Sequence, residues 1–168
     1  TEFKTSIIYP ENSMKVDVQA QTLKIMQEIC AFLNAEGGHL YLGVSDIGYE
    51  MGVEEDLKNT LFKGSRDKYE VYVNNQIVYY LGQEGAHYVH THFDDEVSND
   101  IEPCPTPIAV GCVYYERMGT SARRVNDTYK EKFLAIRKQW AEEHAPHVST
   151  TAADAKTELH EAAALAAA

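Results

Sequence analysis

The chain has 168 residues, with 26 acidic against 15 basic side chains and a net charge of −11. That length suits one domain burying roughly two thirds of its unfolded surface, and its 44% hydrophobic content is that of a globular protein. No run of about 18 apolar residues exists to cross a membrane, so a membrane is not an expected partner. The three cysteines, Cys30, Cys104 and Cys112, are odd in number and lack C-x-x-C spacing. A disulfide framework or zinc site is therefore not expected, and a reducing cytoplasm fits best.

In chain order, Glu2 to Ser6 reads as a short strand. Val18, Thr22, Ile25, Ile29, Phe32 and Leu33 recur at helical spacing, which predicts an amphipathic helix near 17–36 with Asp17 as its N-cap. Gly37 and Gly38 stop it, because glycine takes a left-handed cap without Cβ strain. Residues 39–44 then alternate toward Leu40, Leu42 and Val44, the period of a strand with one buried face. Gly43 allows a close backbone approach, and Asp46 emerges where the strand runs out. Residues 45–64 are glycine-rich and read as loops.

Tyr69, Val73, Ile77 and Leu81 predict a helix near 66–81, ended by Gly82 and Gly85, and 86–93 reads as a strand. Residues 94–100 read as an acidic turn. Pro103, Pro105 and Pro107 require an extended connection, and 108–118 alternates as a strand. Asn126 or Asp127 caps a last helix near 127–143 carrying Tyr129, Phe133, Ile136 and Trp140 on one face. The expected fold is α+β, a mixed β-sheet packed against about three helices within residues 1–145. Residues 146–168 are set aside as an alanine-rich tail, since nine of the last seventeen residues are alanine and offer little to bury.

Five pieces in order resemble the Schlafen AlbA-like domain family. They are Glu2-Phe3-Lys4, the Ala31-to-Asn34 helix end with Glu36-Gly37-Gly38, the strand end from Gly43 to Asp46, the turn at Met51-Gly52-Val53, and Arg117-Met118-Gly119-Thr120-Ser121 with Arg123. The resemblance covers residues 2 to about 140, the middle matching least. It implies the α+β fold above. It also implies a nucleic-acid-binding domain of a transcriptional regulator, since most bacterial proteins with this domain are described as DNA-binding regulators. DNA is the expected partner in preference to RNA, and a second copy of the chain is a further candidate.

The same resemblance implies an alternative, a metal-dependent endoribonuclease of Schlafen type. In those enzymes the matching Glu and Asp, here Glu2 and Asp46, belong to an acidic set completed by another Glu about one turn upstream. Clustered carboxylates hold a divalent ion, Mg²⁺ or Mn²⁺, that activates water on a phosphodiester. Outside that alternative no cofactor and no metal ligand is expected, and the reading favours binding over catalysis. A third reading, a protein-interaction or ligand-sensing module, follows from the acidic charge.

Phosphate contacts need Lys and Arg, which the net charge disfavours. Residues 114–140, however, carry seven basic side chains against Glu116, Asp127 and Glu131, a local charge of +4. Arg117, Arg123 and Arg124 flank a glycine that frees backbone amides and a hydroxyl, Ser121, that adds a donor. With Lys4, these are the expected nucleic-acid-binding residues. His87, His90 and His92 read as surface residues of a strand rather than metal ligands, and the tyrosines of the second helix as packing residues. No G-x-x-x-x-G-K-[ST], G-x-S-x-G or helix-turn-helix pattern is present.

Overall fold

The computed structural model describes residues 1–11 and 16–145, so the alanine-rich tail lies outside the described residues. The elements are β1 (Glu2–Lys4), α1 (Val18–Leu33), β2 (Gly38–Leu42), α2 (Glu54–Leu57), α3 (Arg66–His87), β3 (Val89–Phe93), β4 (Val97–Ile101), β5 (Ala109–Val110), β6 (Val113–Met118), β7 (Ser121–Arg124) and α4 (Lys130–Glu143). Strands β1-β2-β4-β3 form a mixed sheet, parallel only between β1 and β2, and β5-β6-β7 form an antiparallel one. The fold is α+β, as expected from the sequence.

Helix α1 is the centre of the molecule. Asp17 caps it by accepting from the Ala20 amide at 3.0 Å. Ile25, Ile29, Cys30 and Leu33 are almost wholly buried, against Leu40 and Leu42 of β2 and Val97 and Ile101 of β4. At its far end Gly37 (φ 75) turns the chain into β2 so tightly that a Cβ would overlap the Ile101 carbonyl oxygen. The first turn of α1 also clamps the segment after β1. Gln21 Nε2 donates to the Ser6 carbonyl and Thr22 Oγ1 to the Ile7 carbonyl. Ser6 Oγ donates to buried Asp56 at 2.7 Å and accepts from the Ile8 and Tyr9 amides.

Several boundaries differ from the sequence expectation. Residues 97–101, of which 97–100 fall in the expected acidic turn, form β4, the strand joining β2 to β3. Its buried row is Val97, Asn99 and Ile101, and the polar Asn99 is accommodated because it donates to the Leu40 carbonyl and accepts from Thr91. Helix α3 runs to His87, although Gly82 (φ 71) does break its regular geometry, and the strand that follows starts at Val89. The strand expected over 108–118 is split into β5 and β6 by a turn at Gly111 (φ 64). On α4 only Phe133 and Arg137 are buried, while Ile136 is exposed. Asn126 caps the turn preceding α4 by accepting from the Tyr129 amide at 2.9 Å.

The small sheet lies against α1. Asn34, the amide of the Ala-Phe-Leu-Asn motif, fastens it there: Nδ2 donates to the Ile108 and Tyr115 carbonyls, and Oδ1 accepts from the Ile108 amide. Helix α4 rests against this sheet through the Tyr114–Phe133 ring pair. All three cysteines are free thiols. Burial pushes the Cys30 thiol up to about 12, so it stays protonated at neutral pH.

Candidate nucleic-acid interface

The register of β1 on β2 sets Glu2 opposite Leu40 and Lys4 opposite Leu42, so both polar side chains face α1. There they meet Glu28 from α1 and Arg117 from β6. Lys4 Nζ lies 3.1 Å from Glu2 Oε1, Arg117 Nη1 is 2.9 Å from Glu28 Oε2 and 3.7 Å from Glu2 Oε2, and the guanidinium stacks 4.2 Å over the Phe32 ring. All four side chains are nearly buried, between 11% and 16% exposed. Burial, reinforced by the Glu2 charge, raises the Glu28 carboxyl above its ordinary range, against the pull of Lys4, Arg117 and Lys24. Two carboxylates and two cations balance, so the group is a neutral ionic cluster tying β1, α1 and β6 together.

Glu28 is the member the sequence reading missed. It sits three residues after Ile25 and four before Phe32, inside the apolar stripe of α1. A charge in that position needs a partner, which is the signal that could have found it.

Asp46 stands elsewhere. Gly43 (φ 83) turns the chain after β2, in a position where a Cβ would press on the Gly52 backbone. The following turn closes through the Ser45 amide donating to the Tyr49 carbonyl and the Tyr49 amide to Ser45 Oγ. Asp46 is exposed there and lines a cleft of about 500 Å³ with Thr5, Tyr9 and Ile47, a lining that does not include Glu2. Glu2 is thus held by Lys4 and Arg117, while Asp46 lies exposed on the turn after β2. Among the described residues no group of three His, Cys, Asp or Glu side chains is placed to hold a metal ion.

The remaining expected residues lie at the β6–β7 hairpin, whose turn carries Gly119 (φ 62). Arg123 and Arg124 are exposed, and neither has an ion-pair partner among the described residues. Ser121 Oγ donates to the Met118 carbonyl at 3.3 Å, closing the hairpin. Of the seven basic side chains near this end, Arg137 is also engaged internally. It donates to the Leu33, Ala35 and Cys104 carbonyls, and burial lowers its pKa.

On the opposite, open face of the large sheet, three histidines meet two carboxylates. His39 lies 2.7 Å and His92 3.3 Å from Asp100, and His90 lies 3.0 Å from Glu102. The hydrogen bond from His39 holds the Asp100 carboxyl below its usual range.

An α+β domain in which a central helix carries a mixed sheet, a small antiparallel sheet and an exposed arginine hairpin is the class this geometry defines. The sequence profile of the family "Schlafen, AlbA_2" matches residues 1–126, and the chain belongs to that family. No curated protein matches it. Among solved structures, the DIP2311 protein from Corynebacterium diphtheriae is similar, with 15% identity and a TM-score of 0.50. The alignment covers 79% of this chain and 23% of that one, so the chain spans about a quarter of that protein's length. This likeness concerns the fold alone. The family associates the domain with nucleic acid in general, and no helix among the described residues is long and apolar enough to cross a membrane.

Proposed function

We propose that this chain is a nucleic-acid-binding domain of a DNA-binding transcriptional regulator, and that it contacts phosphate through the β6–β7 hairpin. The observation that carries the reading is the different fate of three neighbouring arginines. Arg117 is closed into the cluster with Glu2 and Glu28, whereas Arg123 and Arg124 are exposed on a short hairpin and form no ion pair among the described residues, Arg123 lying across the ladder from Glu116. Guanidinium forks of that kind bind phosphate oxygens in pairs and release counterions as they do so. Lys4 and Arg117, both expected at the interface from sequence, act instead as its internal support. They hold β1 and β6 on α1 and so fix the base of the hairpin.

Fluorescence anisotropy of labelled duplex DNA at two salt concentrations tests this. Arg123→Ala with Arg124→Ala should weaken binding and reduce the salt slope by about one to two units, at roughly 0.9 per phosphate neutralised. Lys132→Ala should have a smaller effect. No binding by the unaltered chain at low salt would overturn the reading for this domain alone.

A further inference from the structure

Helices α1 and α3 leave a long cleft between them that the hairpin reading does not use. Its upper part, about 720 Å³, lies between Thr22 on α1 and Tyr72, Gln76, Tyr79 and Tyr80 on α3. Its lower part, about 510 Å³, shares Tyr79 and Tyr80 and continues past Gln27 to Tyr115 of β6. None of the fifteen residues lining the two parts is charged, in a chain where 24% are. Here a polyanion meets no carboxylate in the wall, in a chain whose net charge is −11.

The lining is also chemically consistent. Tyr79 is 78% exposed, yet its ring is braced edge-on by Tyr80 with centroids 4.9 Å apart. Such a ring offers a flat face already held in place. Gln27 and Gln76 line the wall, and their amides carry both donors and acceptors. The lower end reaches Tyr115, which the hairpin register sets directly opposite exposed Arg124 on one face. Flat rings, side-chain amides and a cation at the exit are the three components that hold unpaired bases and the backbone joining them.

We infer that this cleft binds single-stranded nucleic acid, with bases stacked at Tyr79 and the strand leaving past Arg124. The inference rests on the proposed nucleic-acid reading and adds to it a strand state and a place for the bases. A duplex hides its base faces and cannot use the cleft, so the two readings separate experimentally.

The test measures binding of a labelled fifteen-nucleotide thymidine strand and of a duplex of equal length to the whole chain at fixed salt. Tyr79→Ala should weaken the single strand roughly 5- to 150-fold, the range for loss of one base-stacking ring, and leave the duplex unchanged. Tyr79→Phe, which keeps the ring, should stay near the original affinity. Because Tyr79 is exposed, its thermal melt should not move, which separates lost stacking from lost fold. Single-strand binding unchanged in Tyr79→Ala, but lost with Arg123→Ala and Arg124→Ala, would overturn the cleft and leave the hairpin standing. Absence of binding to either nucleic acid would overturn both readings. A proline-rich peptide that binds the cleft while the thymidine strand does not would overturn the inference in favour of a peptide groove.

Discussion

Arg117 on β6 donates to Glu28 on α1 at 2.9 Å, across 89 residues of chain. The bond fixes the small sheet to the central helix at the point where β1 also arrives, through Glu2 and Lys4. Removing one member of such a cluster leaves the others as uncompensated buried charges, which costs more than the intact cluster contributes.

Arg117→Ala is therefore expected to destabilise the fold by about 3 kcal/mol at neutral pH, within the range for breaking a nearly buried pair. The deficit should shrink on acidification. The Glu28 carboxyl already titrates above its unfolded value, and without Arg117 it should rise further. The folded state then retains a proton that the unfolded state releases, and stability falls as pH rises through the window from the unfolded carboxylate value to the folded one. Chemical denaturation at pH 4.5 and pH 7 would show this. Equal deficits at the two pH values would mean that Arg117 acts by packing on Phe32 rather than by charge.

Asp56 makes a second pH-dependent prediction. Burial raises its carboxyl from 3.8 to about 6, even though Ser6 and the Ile7 amide hydrogen-bond to it. A raised folded pKa means tighter proton binding in the folded state, so its ionisation withdraws stability between about pH 4 and 6. The size is about 3 kcal/mol, at 1.36 kcal/mol per unit. Asp56→Asn cannot ionise, and its stability relative to the original chain should climb over that same interval. A difference that stays flat from pH 4 to pH 7 would remove Asp56 from the pH response.

Ile29 and Phe32 occupy the face of α1 that the sequence pattern marked as core, and they are 1% and 4% exposed. Either residue changed to Ala should cost about 2–5 kcal/mol, whereas exposed Lys24→Ala should cost little. Phe32→Ala should in addition loosen Arg117, whose guanidinium rests on that ring. Coincident thermal melts for all three variants would contradict the assignment of the buried face.

How much of this was legible in the sequence follows from the range of the forces involved. Helix α1 and strand β2 are written in local periodicity, and their glycine cap has a conformation that few other residues adopt, so they could be read directly. Strand β4 could not, because its inner row contains Asn99, whose partners Thr91 and Leu40 come from two other strands. The hairpin arginines could be nominated but not told apart. Only the fold shows that Arg117 reaches Glu28, that Arg124 lies further along the same face beside Tyr115, and that Arg123 lies on the other face opposite Glu116, since cross-strand facing depends on a register that composition does not encode. Glu2 and Asp46 were linked by resemblance alone; the fold adds the ion pairs of Glu2 with Lys4 and Arg117, which their spacing in the chain does not encode.

The last prediction concerns the extent of the domain. The family match ends at residue 126, but α4 (Lys130–Glu143) is joined to the core by a buried guanidinium. Arg137 donates to the Leu33 and Ala35 carbonyls, at the end of α1, and to the Cys104 carbonyl before β5, and it stacks 4.3 Å over Trp140. The α1 carbonyls are among those a helix leaves without intrahelical donors. Arg137→Ala would leave the Ala35 and Cys104 carbonyls to be rehydrated, since the Leu33 carbonyl keeps the Cys104 amide at 2.8 Å, at about 1–3 kcal/mol for each that stays buried. A total loss of about 3–5 kcal/mol is expected. Arg137→Lys should recover little of it, because an ammonium is a point donor and cannot span three carbonyls as a planar fork does. Amide hydrogen exchange offers the readout that separates docking from general stability. Amides of α4 should lose protection in Arg137→Ala before those of β2 and β4 do. Uniform loss across all elements would place α4 within one cooperative unit with the large sheet, and unchanged protection of α4 would show that Phe133 alone holds it.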